Sequence, residues 1–261
     1  MRKHPTIRDL FILTLSTMLM LALSYQNGVI LRVADRDLDS YTIPLVVGIA
    51  LASILIAYLR NIDRHNHRER EYFFDMAKVL AEALGEKDNY TKGHSLRVTK
   101  LSMSLARRIK MREDDLDTLR LSAILHDIGK IGVPGAVLRK TEKLNHDEWL
   151  AIMRHPENSE KILQGLSNKR SAIIRNIIRH HHERWDGLGY PDGIKGEEIV
   201  IGARIIALAD SFDAMTSDRP YRRGLGREVA LKEIKKCSNS QFDPALAREF
   251  VAMIEEGDIT K

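Results

Sequence analysis

The first 60 residues contain two uncharged, predominantly apolar stretches. The chain carries no charge from Leu10 to Leu31 and again from Tyr41 to Leu59, and a membrane-spanning helix needs roughly 20 apolar residues. Neither stretch shows the polar face of an amphipathic surface helix. The pattern predicts two transmembrane helices, at about residues 9–31 and 41–59, within a membrane anchor of residues 1–59.

Arginine residues are distributed unevenly around these stretches. The loop of residues 32–40 contains two arginines, whereas four lie between residues 60 and 70. Because the cytoplasmic flanks of membrane spans are enriched in Lys and Arg, this bias places both ends of the chain inside the cell. Two other interpretations stay open. The first stretch could be a cleaved signal peptide, with Ala22-Leu23-Ser24 as its cleavage site, or both stretches could be buried core helices.

Residues 60–85 predict a helix that leaves the membrane and enters a soluble domain. The segment has no proline and a single glycine, Gly85, and apolar residues recur at helical spacing from Phe73 to Leu84. This juxtamembrane helix could pair with the same helix of a second copy, which predicts a homodimer. Its apolar pattern is too short and irregular for a coiled coil.

From residue 86 onward the pattern is helical, and no stretch alternates as a strand would. Helices are predicted over about residues 91–110, 114–127, 145–154, 157–165, 170–182, 200–216, 226–237 and 244–256. Asn145 with Glu148 predicts a capping box, and Asp243 before Pro244 predicts a second helix start. Residues 183–198 interrupt the pattern with four glycines and a proline. The fold class is therefore all-α, with residues 86–261 forming a helical domain that contains one glycine-rich loop.

Composition narrows the function only slightly. The hydrophobic content of 44% is ordinary, and the net charge of +5 comes from Lys and Arg that are interleaved with acidic residues. This arrangement argues against a nucleic-acid polymer as partner. The single cysteine, Cys237, excludes an internal disulfide and a cysteine-based zinc site, and it suits a reducing compartment.

Histidine and aspartate residues lie at the ends of several predicted helices. His126 and Asp127 follow the apolar run Leu121–Leu125, and burying such a pair is costly unless something pairs with it. An isolated pair is more often a hydrogen-bonded core pair. Here further candidates are distributed among the other helices: His94, His155, His180, His181, His182 and Asp210. Imidazole nitrogens and carboxylate oxygens are both good ligands for divalent ions, so the whole set favours a metal site.

The spacing of these residues favours two metal ions. Neighbouring helical residues point about 100° apart, so His181 and His182 could each reach a different ion, while His180 is expected to be structural. A carboxylate such as Asp127 could bridge two cations. A hydroxide between two ions roughly 3.5–4 Å apart is the nucleophile that cleaves phosphate esters in two-metal sites.

Six motifs in the chain resemble those of the HD-GYP phosphodiesterases, a branch of the HD metal-dependent phosphohydrolases, over about residues 86–256. They are Lys87-Asp88-Asn89-Tyr90-Thr91-Lys92-Gly93-His94-Ser95, His126-Asp127-Ile128-Gly129-Lys130-Ile131, Arg154-His155-Pro156-Glu157, His181-His182-Glu183-Arg184-Trp185-Asp186-Gly187-Leu188-Gly189-Tyr190-Pro191, Ala209-Asp210, and Thr216-Ser217-Asp218-Arg219-Pro220-Tyr221-Arg222. A His-Asp pair alone is weak evidence, but six motifs in order are specific.

The resemblance implies a centre of divalent metal ions, with Fe or Mn as the expected metals. Its ligands would be His94, His126, Asp127, His155, His181, His182 and Asp210, with Asp127 bridging. Some trinuclear members of the family have a glutamate four residues before the position of His94. Tyr90 occupies that position here, so we expect two ions rather than three.

The resemblance also implies the reaction: hydrolysis of cyclic di-GMP to pGpG and/or GMP by a metal-activated hydroxide. Together with the predicted spans, this places the reaction at the cytoplasmic face of a bacterial inner membrane. Asp127, Lys130 and His126 are the expected catalytic residues. The side chains expected to contact substrate are Asp88, Lys130, Tyr190, Asp213, Arg219 and Arg222. The two arginines and the lysine suit phosphate oxygens and the charge that develops during in-line displacement.

Two alternatives to this function stay open. The same chemistry could act on another cyclic dinucleotide or nucleotide phosphoester. The domain could also be an inactive adaptor that binds cyclic di-GMP or a partner protein, although degenerate members of the family usually lose metal ligands and all seven positions are filled here.

Overall fold

The computed structural model describes residues 36–85, 93–167, 170–218 and 223–258, with side chains from residue 46 onward. The chain divides into two compact units, Met1–Phe73 and Phe74–Lys261. The first predicted span, at residues 9–31, lies outside the described residues. So do three predicted substrate contacts, which are Asp88, Arg219 and Arg222.

The first described element is α1, a single helix of 50 residues from Arg36 to Gly85. Its portion from Val46 to Gly85 is long and apolar enough to cross a membrane, by length and composition, with a mean hydropathy of 1.6 in the most apolar window. The second predicted span and the predicted juxtamembrane helix are therefore parts of one helix. Residues 36–40, expected in a loop, are helical too, because loss of charge marks where an apolar segment begins and not where backbone hydrogen bonding begins.

The second unit is built from nine further helices among the described residues, which confirms the all-α prediction. They are α2 (His94–Arg108), α3 (Glu113–Leu125), α4 (Gly135–Leu138), α5 (His146–Met153), α6 (His155–Ile162), α7 (Ser171–Arg179), α8 (Ile201–Thr216), α9 (Arg227–Lys236) and α10 (Pro244–Glu256). The only β pairing in the described part of the chain is an isolated bridge between Ser238 and Phe242. The short helix α4, which follows Pro134, was not predicted.

The main core lies where α2, α3, α8, α9 and α10 pack together. Its fully buried side chains include Leu105, Ile205, Ile206 and Phe250. The Phe250 ring meets Phe212 edge-on, with the ring centroids 5.4 Å apart. Burial of such side chains is the dominant favourable contribution to folding, at about 1.5–3 kcal/mol each.

A second cluster packs the end of α1 into the same unit. Phe74, Ala77 and Ala81 are buried together with Ile124 of α3 and Ile178 of α7. The spacing of the three α1 residues, at i, i+3 and i+7, is that of one helix face. This cluster holds the C-terminal ends of α3 and α7, which directly precede His126 and His180–His182.

The predicted helix starts are confirmed. Asn145 and Glu148 form the reciprocal capping box at α5, with both hydrogen bonds at 2.8 Å. Asp243 caps α10, because its Oδ1 accepts from the backbone N–H groups of Ala245 and Leu246. These side chains satisfy backbone donors that the first helical turn leaves unpaired.

The turn after α3 is docked on α6. A 3₁₀ turn spans Ile128–Gly132, and a Cβ at Gly129 would lie only 2.0 Å from the His155 carbonyl oxygen. The Gly129 N–H donates to Ser159 Oγ at 2.8 Å, and this buried hydroxyl donates to the His126 carbonyl at 3.1 Å. Glycine is therefore required at position 129 to bring His126 and His155 together.

Candidate metal centre

Three histidines at the site are oriented by helix carbonyl groups. His126 Nδ1 lies 2.8 Å from the Ala123 carbonyl oxygen. His155 and His181 make the same contact three residues back, with the Ile152 and Ile178 carbonyls at 2.7 and 2.6 Å. The last carbonyls of a helix have no partner within the helix. Because each Nδ1–H donates to such a carbonyl, each Nε2 is left with its lone pair facing the cluster.

His94 is held differently, by two carboxylates of α8. Its Nδ1 lies 2.7 Å from Asp213 Oδ2, and its Nε2 lies 3.2 Å from Asp210 Oδ1. Asp210 and Asp213 are three residues apart and so share a face of α8. Arg97, one turn after His94 on α2, donates to Asp213 through Nε at 2.6 Å and Nη2 at 3.0 Å.

Asp127 lies between the two groups of histidines. Its Oδ1 is 3.3 Å from His155 Nε2, whereas its Oδ2 is 3.5 Å from His126 Nε2 and 3.8 Å from His94 Nε2. The Lys130 ammonium donates to the same Oδ2 at 2.7 Å. Asp127 is only 3% exposed, so its charge is balanced by these neighbours rather than by water.

The donor atoms fall into two sets, each tight enough to surround one ion. In the first, donor atoms of His94, His126 and Asp127 lie within 4.8 Å of one another; in the second, those of His155, His181 and His182 do. Buried His126 Nε2 has no hydrogen-bond partner among the described residues. A buried nitrogen without a partner is costly unless something binds it. The residues therefore fit divalent ions.

Three of the site histidines have lowered pKa values, which keep them neutral and able to bind metal. Burial lowers the pKa of His155 to about 3 and of His182 to about 4, and it holds the pKa of His181 well below its usual value. All three are neutral near pH 7 and can donate a lone pair. Burial also lowers the pKa of His94, but hydrogen bonds with Asp210 and Asp213 outweigh burial and raise the pKa to about 9.

The carboxyl groups stay ionised despite their burial. Burial acts to raise the pKa of Asp127, but the positive charge of Lys130, the largest opposing influence, holds it well below its usual range. The pKa of Asp210 is likewise lowered against the effect of burial, by its hydrogen bond with His94. An ionised carboxylate surrounded by imidazoles is an arrangement that binds divalent cations.

The glycine-rich loop closes against the second set of histidines. The Tyr190 ring stacks on His182, with centroids 4.9 Å apart and an interplanar angle of 26°. A Cβ at Gly189 would lie 2.4 Å from the Arg184 backbone nitrogen, so only glycine permits this close approach. Buried Glu183 fixes the rest of the loop, because its Oε1 accepts from the N–H groups of Asp192 and Gly193.

His180 lies apart from the two sets, and its expected structural role stays a prediction. Its Nε2 is 2.8 Å from Asp192 Oδ2. Asp192 also accepts two hydrogen bonds of 2.7 Å from Arg179. His180, Glu183 and Asp192 form a third group of closely spaced donor atoms, but the Arg179 guanidinium already supplies the positive charge there.

The structure brings together all seven residues expected to bind metal, and it places Tyr190 and Lys130 beside them. It places Asp213 against His94 and Arg97. Three residues that shape the site were missed from sequence: Arg97, Ser159 and Glu183. Glu183 follows His182 inside one of the motifs, and Arg97 lies one helical turn after His94, so their positions in the sequence could have indicated a role at the site. Ser159 carried no such signal, because its role depends on the contact between α6 and the turn after α3.

Fold and cluster together define a helical protein with a candidate centre for divalent metal ions. The chain belongs to the HD domain family, which matches residues 78–246. It is similar to the cyclic di-GMP phosphodiesterase PA4108 of Pseudomonas aeruginosa, at 39% identity over 66% of this chain and 41% of that protein. It is also 40% identical to 3'3'-cGAMP-specific phosphodiesterase 3 of Vibrio cholerae, over 66% of this chain and 37% of that one.

The response regulator RpfG of Xanthomonas campestris, named as a cyclic di-GMP phosphodiesterase, is 35% identical over 76% of this chain and 50% of its own length. The chain thus spans half or less of the length of these three curated relatives. Among solved structures, the HDG"Y"P protein Bd1817 of Bdellovibrio bacteriovorus shares the fold, with a TM-score of 0.54 at 19% identity over 78% of this chain and 71% of that chain.

Proposed function

We propose that the protein is a metal-dependent phosphodiesterase that hydrolyses cyclic di-GMP to pGpG and/or GMP. The observation that carries this proposal is the pair of donor sets joined by Asp127, whose two oxygens face His155 on one side and His126 with His94 on the other. Relatives with 35–39% identity are named cyclic di-GMP phosphodiesterases, which supports this substrate.

The chain would hold two divalent ions, with Fe or Mn as the expected metals. His94, His126, Asp127 and Asp210 would hold one, and His155, His181, His182 and the other oxygen of Asp127 the second. When bound, such ions supply Lewis-acid activation of water and of the phosphate group. Asp127 would contribute to both positions, and His126, whose Nδ1 contacts the Ala123 carbonyl, would offer its Nε2.

Lys130 and residues beyond the metal positions would bind the phosphate groups. The Lys130 ammonium, 2.7 Å from Asp127 Oδ2, is held at the edge of the site, where it would contact a non-bridging oxygen. Tyr190 stands beside His182 and would contact the substrate from the loop. The remaining expected substrate contacts are Asp88, Arg219 and Arg222, whereas Asp213, also expected to contact substrate, lies against His94. The arginines would counter charge developing on the phosphate during displacement.

The protein would act at the cytoplasmic face of a bacterial inner membrane. Residues 1–59 would form a two-span anchor, 60–85 the juxtamembrane helix and 86–261 the catalytic domain. The length and apolar composition of α1 support a span. Retention of the full chain in carbonate-washed membranes is expected, and its release into the soluble fraction would contradict the anchor.

The juxtamembrane helix would also carry a homodimer contact. Met76, Val79 and Leu80 are 54–65% exposed, although neighbouring Ala77 and Ala81 are buried against the domain. Crosslinking through a cysteine introduced at position 80 in a Cys237→Ser background would detect the dimer. Absence of a crosslinked dimer in membranes would contradict it.

A second candidate substrate is 3'3'-cGAMP, because a relative with 40% identity is named for that specificity. A decisive experiment uses the full chain in nanodiscs, loaded with Mn²⁺ or Fe²⁺ without oxygen. Products from cyclic di-GMP and 3'3'-cGAMP are resolved chromatographically. Faster turnover of cyclic di-GMP is expected. Faster turnover of 3'3'-cGAMP would identify that dinucleotide as the substrate instead. No turnover of either dinucleotide at full metal occupancy would favour an inactive adaptor.

A further inference from the structure

The site histidines differ in what holds their Nδ1 atom. His126, His155 and His181 each contact a backbone carbonyl three residues earlier. His94 contacts the side chain of Asp213 instead, at 2.7 Å. A backbone carbonyl cannot be removed by a side-chain substitution, whereas a carboxylate can, so His94 alone among these four has an orientation that depends on another side chain.

The reason lies in where His94 stands in its helix. It is the first residue of α2, and the start of a helix presents unpaired N–H donors rather than carbonyl acceptors. The other three histidines follow the C-terminal end of a helix, where carbonyls are available. His155 also opens α6, but it comes two residues after the end of α5 and contacts the Ile152 carbonyl of that helix. An acceptor for His94 Nδ1 must therefore come from a different element, and Asp213 of α8 provides it.

Arg97 fixes the carboxylate that fixes His94. Its Nε donates to Asp213 Oδ1 at 2.6 Å, and its Nη2 donates to Oδ2 at 3.0 Å. Because the guanidinium bonds to both oxygens, it limits the rotation of the Asp213 carboxylate and keeps Oδ2 facing His94. Asp213 is 3% exposed, so its carboxylate relies on Arg97 and His94 for hydrogen bonds rather than on water.

Building on the dinuclear site proposed above, we propose that Arg97 and Asp213 are positioning residues for a single metal position. Through His94 they hold the ion coordinated by His94, His126, Asp127 and Asp210. They make no contact with the histidines of the second set, His155, His181 and His182, in the hydrogen bonds of the described residues. The affinity for the first ion would therefore depend on Arg97 and Asp213, which are not ligands, whereas the affinity for the second ion would not.

The proposal assigns to Asp213 a role distinct from substrate contact. A residue that contacts substrate changes KM for cyclic di-GMP at every metal concentration. A residue that holds a metal ligand changes the amount of metal needed for turnover, and excess metal restores kcat. Substitution of residues that orient metal ligands typically weakens metal affinity by about 10–100-fold.

The test uses the full chain in nanodiscs, titrated with Mn²⁺ while free Mn²⁺ is followed by its EPR signal. Wild type should bind two ions. Asp213→Ala and Arg97→Met should keep one site at wild-type affinity and weaken the other by about 10–100-fold. Arg97→Lys should fall between, because it keeps the charge and loses the two-bond geometry. Raised Mn²⁺ should restore kcat in each variant, with KM unchanged.

Arg108→Met is the matched control. Arg108 lies at the other end of α2 and pairs with Glu249 and Glu256, so its loss removes an ion pair of the same helix away from the site. It should bind both ions as wild type does.

Three outcomes would overturn the inference: wild-type binding of both ions in Asp213→Ala, equal weakening of both ions, or a raised KM that excess Mn²⁺ does not relieve. A wild-type chain that binds fewer than two ions would instead defeat the dinuclear site itself.

Discussion

Asp127 Oδ1 lies 3.3 Å from His155 Nε2, and this contact joins a residue at the end of α3 to one that opens α6. The other oxygen of the same carboxylate faces His126, 3.5 Å away. One buried side chain thus stands between two sets of donor atoms, and its charge is balanced by Lys130. In the proposed dinuclear site, Asp127 is therefore the residue shared by both metal positions.

Removing either member of the His-Asp pair should abolish metal binding and turnover. In Asp127→Ala both proposed metal positions lose a ligand, and in His126→Ala one donor set loses a nitrogen that has no other partner in the described part of the chain. Metal content per chain is measured by mass spectrometry, together with hydrolysis of cyclic di-GMP. His146→Ala, at an exposed histidine, is the control and should keep both. Turnover by metal-free Asp127→Ala would contradict the mechanism.

Arg219→Ala should lower the rate of hydrolysis without changing metal binding. The proposed role of Arg219 is to counter charge that develops on the phosphate, which is a contribution to turnover rather than to the ligand set. Metal content should equal that of wild type, while kcat falls by about 10²-fold or more, the magnitude for loss of one stabilising donor. An unchanged kcat would remove Arg219 from the site.

Gly129→Ala should separate the turn after α3 from α6. The added methyl group would lie 2.0 Å from the His155 carbonyl oxygen and 2.5 Å from the Ser159 nitrogen, both of them backbone atoms. Overpacking of this kind costs about 1–3 kcal/mol or more. We expect a lower Tm, followed by tryptophan fluorescence, and loss of metal binding.

Gly165→Ala is the control for this substitution, because nothing lies within 4 Å of its Cβ position. It should leave both Tm and metal content unchanged. A Gly129→Ala protein with the metal content of wild type would show that the turn tolerates displacement.

Tyr190 should support His182 through its ring rather than its hydroxyl group. The rings stack with centroids 4.9 Å apart. Tyr190→Phe keeps this contact and should bind both ions, whereas Tyr190→Ala frees the His182 ring and should weaken the ion held by His155, His181 and His182. Mn²⁺ titration of both variants checks this. Equal affinity in the two variants would mean that His182 is held by other contacts.

Asp192 should stabilise the fold in a pH-dependent way. Hydrogen bonds from Arg179 and His180 lower the pKa of Asp192 in the folded protein, whereas the unfolded carboxyl has a pKa of about 3.9. The folded state therefore favours the ionised form, so this stabilisation is present above about pH 4 and is lost as the pH falls further. Asp192→Asn should lower Tm at pH 6, and its difference from wild type should shrink toward pH 3.

These melting experiments use metal-free protein in chelator, so that loss of metal at low pH does not contribute. Asp115→Asn, which breaks an exposed pair with Arg112, should change Tm less, as is usual for exposed ion pairs. A Tm difference for Asp192→Asn that stays constant from pH 6 to pH 3 would contradict the assigned pairing.

Much of the chemistry could be read from local sequence. Periodicity gave the helical class, and residue types at helix boundaries gave the capping box at Asn145 and the cap at Asp243, because these structures depend on neighbours within four residues. The candidate ligands were recognisable because histidine and aspartate are uncommon in apolar surroundings without a partner. The resemblance to the HD-GYP motifs then assigned these residues to one set of metal ligands.

Other features depended on contacts between distant segments. The pairing of His94 with Asp213 joins residues 119 positions apart, and Ser159 bridges the turn after α3 only because α6 packs against it. No local pattern specifies such contacts, since they follow from how helices cross. The single helix of residues 36–85 was likewise hidden by the change from apolar to polar composition near residue 60.

The sequence by itself determined that this protein is helical, that it carries a long apolar segment, and which residues are able to bind divalent ions. Only the tertiary structure decided how those residues are divided: into two donor sets around Asp127, with His94 held by a carboxylate and His126, His155 and His181 by carbonyls. The reason is that ligand identity is a property of single side chains, whereas their grouping is fixed by the packing of α2, α3, α6, α7 and α8 around one buried point.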